Sequence, residues 1–576
     1  MSIEKYGLSW PDGTTDATIE LRCYRLNHLP ERGGLGPRGH LKEAICQLWP
    51  EQLSNNERGY LWHEWMDRRL DSWVRSSVDD WHTWWGPSSA GKSCDAGILA
   101  LAHWLAAPDQ TTVIVCSTTK DMLEKRIFGE IIRYHSLHKG KLPGEYMKSK
   151  HAIILGDENS KNGIFGIAIQ KGTLSEALGN MIGIHNRYNV LIIDEMQSTR
   201  EAAIDAADNL STGEEFKLIG MGNPVSRLDP LGKYSEPLHG WESVSPNDEE
   251  WETKYGHCLY FDGLKSPAIK APKKFYFLLN QKQIDALKKK RGQDSPAFWS
   301  QRRGFVPPEG LIESVLTESF IVRFHMQAPA KWKYGYRIVA GLDPAYSSGG
   351  DRAMFIPAMV GLMENGMTGV AFMNPVQINL ALSSGEPMVY YLASKVIEHC
   401  DQIGVQPEDL AIDCTGTQGM LADVIEKEWK KDKTVKVHRV QFVGNPSDFS
   451  VSESDPTPAK KQYKNRVTEL WFNMSEFARY EQIRSLPEGA AKEFCQRMIA
   501  QSAAPIMIEP KSIMKKRTGE SPDEADGCVC VLDLARERLG IHPGSHALGI
   551  NDPELEKRFL DLDVDNRPGN YLETRL

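Results

Sequence analysis

Five short apolar runs of strand type follow one another in the first half of the chain: TTVIVCST (111–118), HAIIL (151–155), GIFGIAIQ (163–170), NVLIIDE (189–195) and KLIGMGNP (217–224). Helical stretches separate them. Runs rich in Val and Ile that alternate with helices imply a largely parallel sheet covered on both faces. This restricts the first half of the chain to an α/β fold.

The second half starts again with a strand, YRIVAGLDPA (336–345), and RAMFIPAMVGLM (352–363) follows as its hairpin partner. A third strand is expected at GVAFMNPVQI (369–378), then a helix through YYLASKVIEHCDQIG, then the strand DLAIDCTG (409–416). Three consecutive strands, a helix and a further strand is the order of an RNase-H-like fold. At 576 residues the chain exceeds what one hydrophobic core supports, so more than one domain is required. The boundaries expected are an N-terminal arm at 1–39, rich in Gly, Pro and polar residues, a first domain at 40–310, a linker at 311–333, a second domain at 334–540 and a polar tail at 541–576. Within the first domain the spacing is helical from about Leu41 to Val78, with Leu61, Trp62, Trp65, Leu70 and Trp73 on an aromatic stripe that reads as helix core.

The stretch GPSSAGKS places Gly86 and Gly91 around Pro87, Ser88, Ser89 and Ala90, with Lys92 and Ser93 following at once. This is the spacing of a loop whose backbone N–H groups curl around nucleotide phosphates. Lys92 supplies a point charge to them and the Ser93 hydroxyl can ligate Mg²⁺. A helix starting at SCDAGILALAHWL points its positive dipole end at the same anion. About a hundred residues later NVLIIDE ends its strand in Asp194 and Glu195: one carboxylate can hold the Mg²⁺ hydration shell and its neighbour can orient an attacking water. The run LIGMGNP ends another strand in Asn223, an amide able to sense the γ-phosphate. Arg126, Arg133, Arg187 and Arg200 are equal candidates for an arginine finger.

A second set of acids lies beyond residue 340. Asp343 ends the first strand of the second domain, Asp351 follows across the hairpin, and Asp413 ends the later strand in LAIDCTG. SPDEADG places Asp523 and Asp526 three apart, on one face at the start of a helix. Carboxylates on adjacent strands and a helix can hold two divalent ions about 3.5–4 Å apart, the arrangement that hydrolyses a phosphodiester. Oxygen-only ligands suit Mg²⁺ or Mn²⁺ over zinc. Basic runs flank these acids at KKKR (288–291), KKQYKNR (460–466) and MKKRTGES (514–521), which suits salt-dependent contact with a phosphate backbone.

A formal net charge of −9 excludes a generally basic surface and leaves room for a local basic channel. No run of about 18 apolar residues occurs, and the first residues lack a basic start followed by an apolar stretch, so a soluble, intracellular protein is expected. The ten cysteines form no CxxC pair and no HExxH occurs, so neither a structural zinc site nor a disulfide framework is suggested.

A phosphate-loop ATPase followed by an RNase-H-like nuclease in one chain resembles the large terminase subunit of tailed bacteriophages, the motor and nuclease that packages DNA. The resemblance covers roughly residues 60 to 540 and rests on GPSSAGKS, GIHNRYNVLIIDEM, GMGNP, QRRGFVPP, GLDPAYSSGGD, AIDCTG, KNRVTELWFNM and GESPDEADG in that order. It implies that Lys92 and Ser93 bind ATP and Mg²⁺, that Asp194 and Glu195 are the Walker B pair, and that Asn223 couples hydrolysis to motion. It further implies that Asp343, Asp413, Asp523 and Asp526 ligate the nuclease metals, with Asp351 auxiliary. The family's arginine upstream of the Walker B strand is not evident in LGNMIGIHNR. By the same resemblance the partners are double-stranded DNA, a portal protein ring and a small terminase subunit. They meet a ring of about five subunits at the procapsid portal vertex in the host cytoplasm, and the protein is not part of the mature virion. Two other readings fit the motifs: a helicase-nuclease of recombination or repair, and a nucleotide-gated DNA-binding assembly module whose acids are structural.

Overall fold

The computed structural model describes residues 15–25, 35–53, 57–157, 160–169, 186–199, 204, 207–311, 313–344, 352–378, 387–416, 419–429, 436–518 and 521–545. The chain divides into two compact units, Met1–Leu311 and Ile312–Leu576. Both are α/β.

The first unit is built on a nine-stranded sheet. Its strands are β1 (Trp81–Trp85), β2 (Thr111–Ser117), β3 (Glu145–Met147), β4 (Ala152–Ile154), β5 (Gly163–Ala168), β6 (Tyr188–Asp194), β7 (Glu215–Gly222), β8 (Glu250–Thr253) and β9 (Gly256–Tyr260), in the order β3-β4-β5-β2-β6-β7-β1-β9-β8. The central strands β5, β2, β6, β7, β1 and β9 are all parallel, and antiparallel pairs occur only toward the edges. The five apolar runs of the sequence are β2, β4, β5, β6 and β7. Strand β1, sequence WHTWW, has neither Val nor Ile and was not expected. Its indoles nonetheless fill the core, with Trp84 and Trp85 fully buried.

Helices α1 (Thr15–Arg25), α2 (Gly36–Leu48), α3 (Glu64–Arg75) and α4 (Lys92–Leu105) share one apolar cluster on one face of this sheet. The segment 1–39 is therefore not wholly an arm. Ala17, Leu21 and Tyr24 of α1 are buried in that cluster, and Tyr24 Oη is 2.7 Å from His103 Nδ1. The helical pattern read from Leu41 to Val78 is two helices, because the chain leaves α2 at Trp49 and α3 starts only at Glu64, capped by His63.

The second unit carries a seven-stranded sheet of β10 (Trp332–Asp343), β11 (Ala353–Met363), β12 (Thr368–Phe372), β13 (Val376–Ile378), β14 (Leu410–Asp413), β15 (His438–Val440) and β16 (Ile483–Arg484). Strands β10, β11 and β12 form an antiparallel meander, while β14 and then β15 add parallel to β10 on its other side. The order β15-β14-β10-β11-β12 is that of an RNase-H-like fold. Helices Met388–Ile403 and Gly419–Glu428 bury their apolar faces in a cluster with β10 and β14. The helix Asp523–Glu537 packs against β10, β11 and β14. Its approach depends on two glycines: a Cβ on Gly341 would meet the Gly527 carbonyl oxygen at 2.2 Å, and one on Gly527 would meet Ile356 at 2.5 Å.

The described residues of the expected linker (313–333) and the first five of the expected tail (541–545) pack against the second unit. Val315, Leu316, Ile321 and Met326 are buried, around the short helix Glu318–Arg323. Ile541 is buried, and Gly544 N–H donates to Gln482 Oε1 at 2.7 Å. Among the described residues no helix is long and apolar enough to cross a membrane.

Candidate functional sites

Strand β1 runs into the loop Gly86–Gly91, which turns into α4 through Gly91 at φ 77°, a left-handed conformation that glycine adopts without cost. Every residue of α4 from Asp95 to Leu105 is buried, so the loop stands on a fixed support. Beneath it lies a wholly buried guanidinium: Arg69 pairs with Asp95 and donates to the Ala90 carbonyl at 2.9 Å, while Tyr60 Oη donates to Asp95 Oδ1 at 2.8 Å. Neither Arg69, Asp95 nor Tyr60 was foreseen, since single residues outside a motif carry no sequence signal.

Lys92 Nζ donates to the carbonyls of Gly86 at 2.8 Å and Pro87 at 3.0 Å and to Asn223 Oδ1 at 2.9 Å. Asn223 in turn donates to Ser88 Oγ at 2.9 Å. Because β7 lies between β1 and β6, it carries Asn223 to the loop at the same edge where β6 ends in Asp194. Ser93 Oγ is 3.2 Å from Asp194 Oδ2. Glu195 follows in left-handed backbone at φ 57°, strained for a residue with a side chain, and its carboxylate is held by Arg126 and Gln197.

Ser88, Lys92, Ser93, Asp194, Glu195 and Asn223 line one cavity of about 1100 Å³ together with Arg126, Arg133, Tyr276 and Phe277. Burial, reinforced by the Arg69 and Arg126 charges, lowers Lys92 to about 7. Burial also raises Asp194 above the usual carboxylate range against the pull of Arg126 and Lys92. Of the four arginine candidates, Arg126 and Arg133 line the cavity, Arg187 pairs with Glu214 elsewhere, and Arg200 lies outside the described residues. The arrangement offers backbone amides, a lysine, a hydroxyl and two carboxylates to a phosphate chain.

In the second unit Asp343 ends β10, Asp413 ends β14, and the helix Asp523–Glu537 brings Asp523 and Asp526 to them. All four are buried. Three of them converge on a residue the sequence did not disclose: Lys511 Nζ lies 3.1 Å from Asp343 Oδ2, 2.8 Å from Asp526 Oδ2 and 3.4 Å from Asp523 Oδ1. Asp526 also accepts from Trp471 Nε1 at 2.9 Å, and Asp523 accepts from the Arg352 backbone N–H at 3.0 Å. Asp413 accepts from the Thr415 N–H at 2.8 Å. Asp351 lies outside the described residues.

Burial, with Asp526, Asp523 and Asp413 adding repulsion, pushes Asp343 well above the ordinary carboxylate range. Burial likewise takes Asp413 to about 6, with Asp526 contributing. Against its own burial Lys511 is held charged by Asp526, Asp343 and Asp523. Lys511 faces Asp343, Asp523 and Asp526, Arg352 lies 3.4 Å from Asp523 and Arg497 3.7 Å from Asp526, and Asp523 Oδ1 is buried without a hydrogen bond. An all-oxygen set of four buried acids with a lone pair to spare fits a hard divalent cation.

Fold and sites together define a two-unit α/β protein with a phosphate-loop cavity in one unit and an RNase-H-like acid centre in the other. Among solved structures the chain is similar to the HK97 bacteriophage large terminase, at 12% identity over 85% of this chain and 98% of that one with a TM-score of 0.34. It is similar to the large terminase of a thermophilic bacteriophage in complex with ADP, at 12% identity over 83% and 100% with a TM-score of 0.33. The nuclease domain of the large terminase subunit of bacterial virus Sf6 is similar at 14% identity over 38% of this chain and 98% of that one, with a TM-score of 0.28. No protein-family model and no curated protein matches the chain. At these scores the residues of the two sites, not the likeness, carry the functional reading.

Proposed function

We propose that the chain is the large subunit of a viral DNA-packaging terminase: ATP hydrolysis in its first unit drives double-stranded DNA into a procapsid, and a metal-dependent endonuclease in its second cuts the concatemeric genome. The supporting observation is that one polypeptide carries two polar clusters, Lys92, Ser93, Asp194 and Asn223 in one unit and buried Asp343, Asp413, Asp523 and Asp526 in the other, each of a kind suited to phosphate chemistry.

On this reading the loop amides of Gly86–Gly91 receive the phosphates of ATP, and Lys92 exchanges its carbonyl and amide partners for the β- and γ-phosphates. Ser93 and Asp194 would hold Mg²⁺, and the four aspartates would hold Mg²⁺ or Mn²⁺. Such ions neutralise charge on the phosphoryl oxygens and, at the acid centre, make water a better nucleophile. Glu195 orients the attacking water once Arg126 releases it, and Arg126 is then placed to face the γ-phosphate as the arginine finger. Asn223, bonded to both Lys92 and Ser88, loses a partner when the lysine turns to nucleotide, and so reports the state of the site to β7. The exposed basic residues 288–291, together with Lys516, supply phosphate-backbone contacts. Portal ring, small terminase subunit and a closed subunit ring are the partners this activity needs.

The test is DNA protection. Nuclease-resistant DNA should accumulate in portal-bearing proheads with ATP and the wild-type chain, and not with Lys92→Ala. Hydrolysis indifferent to DNA, with no protected DNA, contradicts the proposal.

A further inference from the structure

We infer that Asp80, His82 and His257 form a site for one borderline divalent transition-metal ion of the zinc class, independent of both phosphate-handling centres. The site lies at the start of β1, at the opposite end from the phosphate loop. His82 and His257 are register partners on the parallel strands β1 and β9, which puts both imidazoles on one face of the sheet. Asp80 immediately precedes β1. Its Oδ1 is 2.7 Å from His257 Nδ1 and 3.1 Å from His82 Nε2, and the three ligand atoms all lie within 4.8 Å of one another.

Two further features point to a cation. His82 is wholly buried, and its Nε2, aimed at this triangle, has no well-formed hydrogen bond. Its other nitrogen, Nδ1, is 2.7 Å from Ser72 Oγ, which itself accepts from Trp84 Nε1 at 2.8 Å. With Nδ1 held by that serine, Nε2 is the nitrogen turned to Asp80 Oδ1, the position from which it can ligate a cation in place of sharing a proton with the carboxylate. A partner on the far nitrogen is the support that metal-binding histidines ordinarily have. The backbone also makes room: Gly256 has φ 145°, and a Cβ there would lie 2.5 Å from Asp80 Oδ1.

Two imidazoles and one carboxylate match zinc, with water as fourth ligand, at bond lengths of about 2.0–2.2 Å; tetrahedral ligands then stand about 3.3 Å apart, against 2.7 and 3.1 Å from Asp80 Oδ1 to the two imidazole nitrogens. The other His-acid cluster among the described residues is different. At His438, Asp533 and Glu537 the Arg466 guanidinium already donates to Asp533 Oδ1 and Glu537 Oε1, each at 2.6 Å. Bound at the first cluster, the ion would pin β1 to β9 behind the phosphate loop. A search by cysteine spacing could not find this site, because its histidines are far apart in sequence.

The experiment is Co²⁺ titration of the full chain in excess Mg²⁺, which occupies the carboxylate centres. Wild-type protein should take up one equivalent of Co²⁺ with the intense visible bands of tetrahedral nitrogen ligation, and Zn²⁺ should displace it. His257→Ala and Asp80→Asn, both at half-buried positions, should lose the bands while keeping wild-type circular dichroism, and Ser72→Ala should weaken binding about tenfold. Absence of the bands in the wild type, or their persistence in folded His257→Ala, overturns the inference.

Discussion

Lys92 Nζ donates to Asn223 Oδ1 at 2.9 Å, which ties the phosphate-loop lysine to the end of the neighbouring strand β7. A hydrogen bond from a charged donor contributes about 1.5–3 kcal/mol, so Asn223→Ala should change ADP affinity by no more than about a hundredfold. DNA stimulation of ATP hydrolysis should nevertheless disappear. ADP titration and steady-state hydrolysis with and without DNA measure the two effects separately.

Nucleotide binding should take up a proton. Burial leaves Lys92 at about 7 in the free protein, and phosphate oxygens favour the charged ammonium, so its pKa rises on binding. At pH 6 the free lysine is already charged, whereas at pH 8 a larger share of the free protein gains a proton on binding. Calorimetry in buffers of different ionisation enthalpy should show larger uptake at pH 8, and Lys92→Ala should abolish the difference. Equal uptake at both pH values argues against a neutral lysine in the free site.

Glu195 is held by Arg126 in strained backbone beside the cavity. Glu195→Gln should retain nucleotide while slowing turnover about 10²–10⁴-fold, the range for loss of a general base. Arg126→Ala should lower kcat with little change in KM. Arg187→Ala, which removes a pair with Glu214 outside the cavity, should do neither.

The acid centre trades stability for chemistry. Asp413 is raised to about 6 in the folded protein, against about 3.9 in the unfolded chain. As pH rises the unfolded chain ionises first, so this group's contribution to stability is lost between about pH 4 and pH 6 and stays lost above. Asp413→Asn should therefore stabilise metal-free protein at pH 8, by about 1–3 kcal/mol at most given the nearby Lys511 charge, and so raise its Tm. The same substitution should abolish DNA cutting. Calorimetric melts in chelator at pH 8 and pH 4 check the sign, since the gain should vanish at the lower value.

The metal affinity of this centre should fall as pH drops through about 6, because Asp413 and Asp343 must be ionised to serve as ligands. Mn²⁺ titrations at pH 5.5 and pH 7.5 should show weaker binding at the lower value. The opposite trend is incompatible with carboxylate ligands.

The motifs were legible where chemistry fixes both residue type and spacing. Ser88–Ser93, the Asp194–Glu195 strand end and Asn223 stand around one cavity, and three of the five acids singled out beyond residue 340 meet at Lys511. Strands rich in Val and Ile were readable; β1 was not, because WHTWW relies on buried indoles. The α1 helix was hidden in a polar, Gly-rich lead-in, since only its packed face is apolar. Lys511 escaped notice because a lone lysine after a proline has no pattern, and its role exists only once β10 and the helix Asp523–Glu537 are brought together through Gly341 and Gly527.

The most direct test is a crossed assay on one preparation of the full chain, measuring ATP hydrolysis and Mn²⁺-dependent plasmid cleavage for the wild type, Lys92→Ala and Asp343→Asn. Two independent centres predict that Lys92→Ala loses hydrolysis by about a hundredfold or more yet still cuts, and that Asp343→Asn hydrolyses ATP normally and leaves the plasmid intact. Cleavage that survives in folded Asp343→Asn, or hydrolysis that survives in Lys92→Ala, contradicts the account.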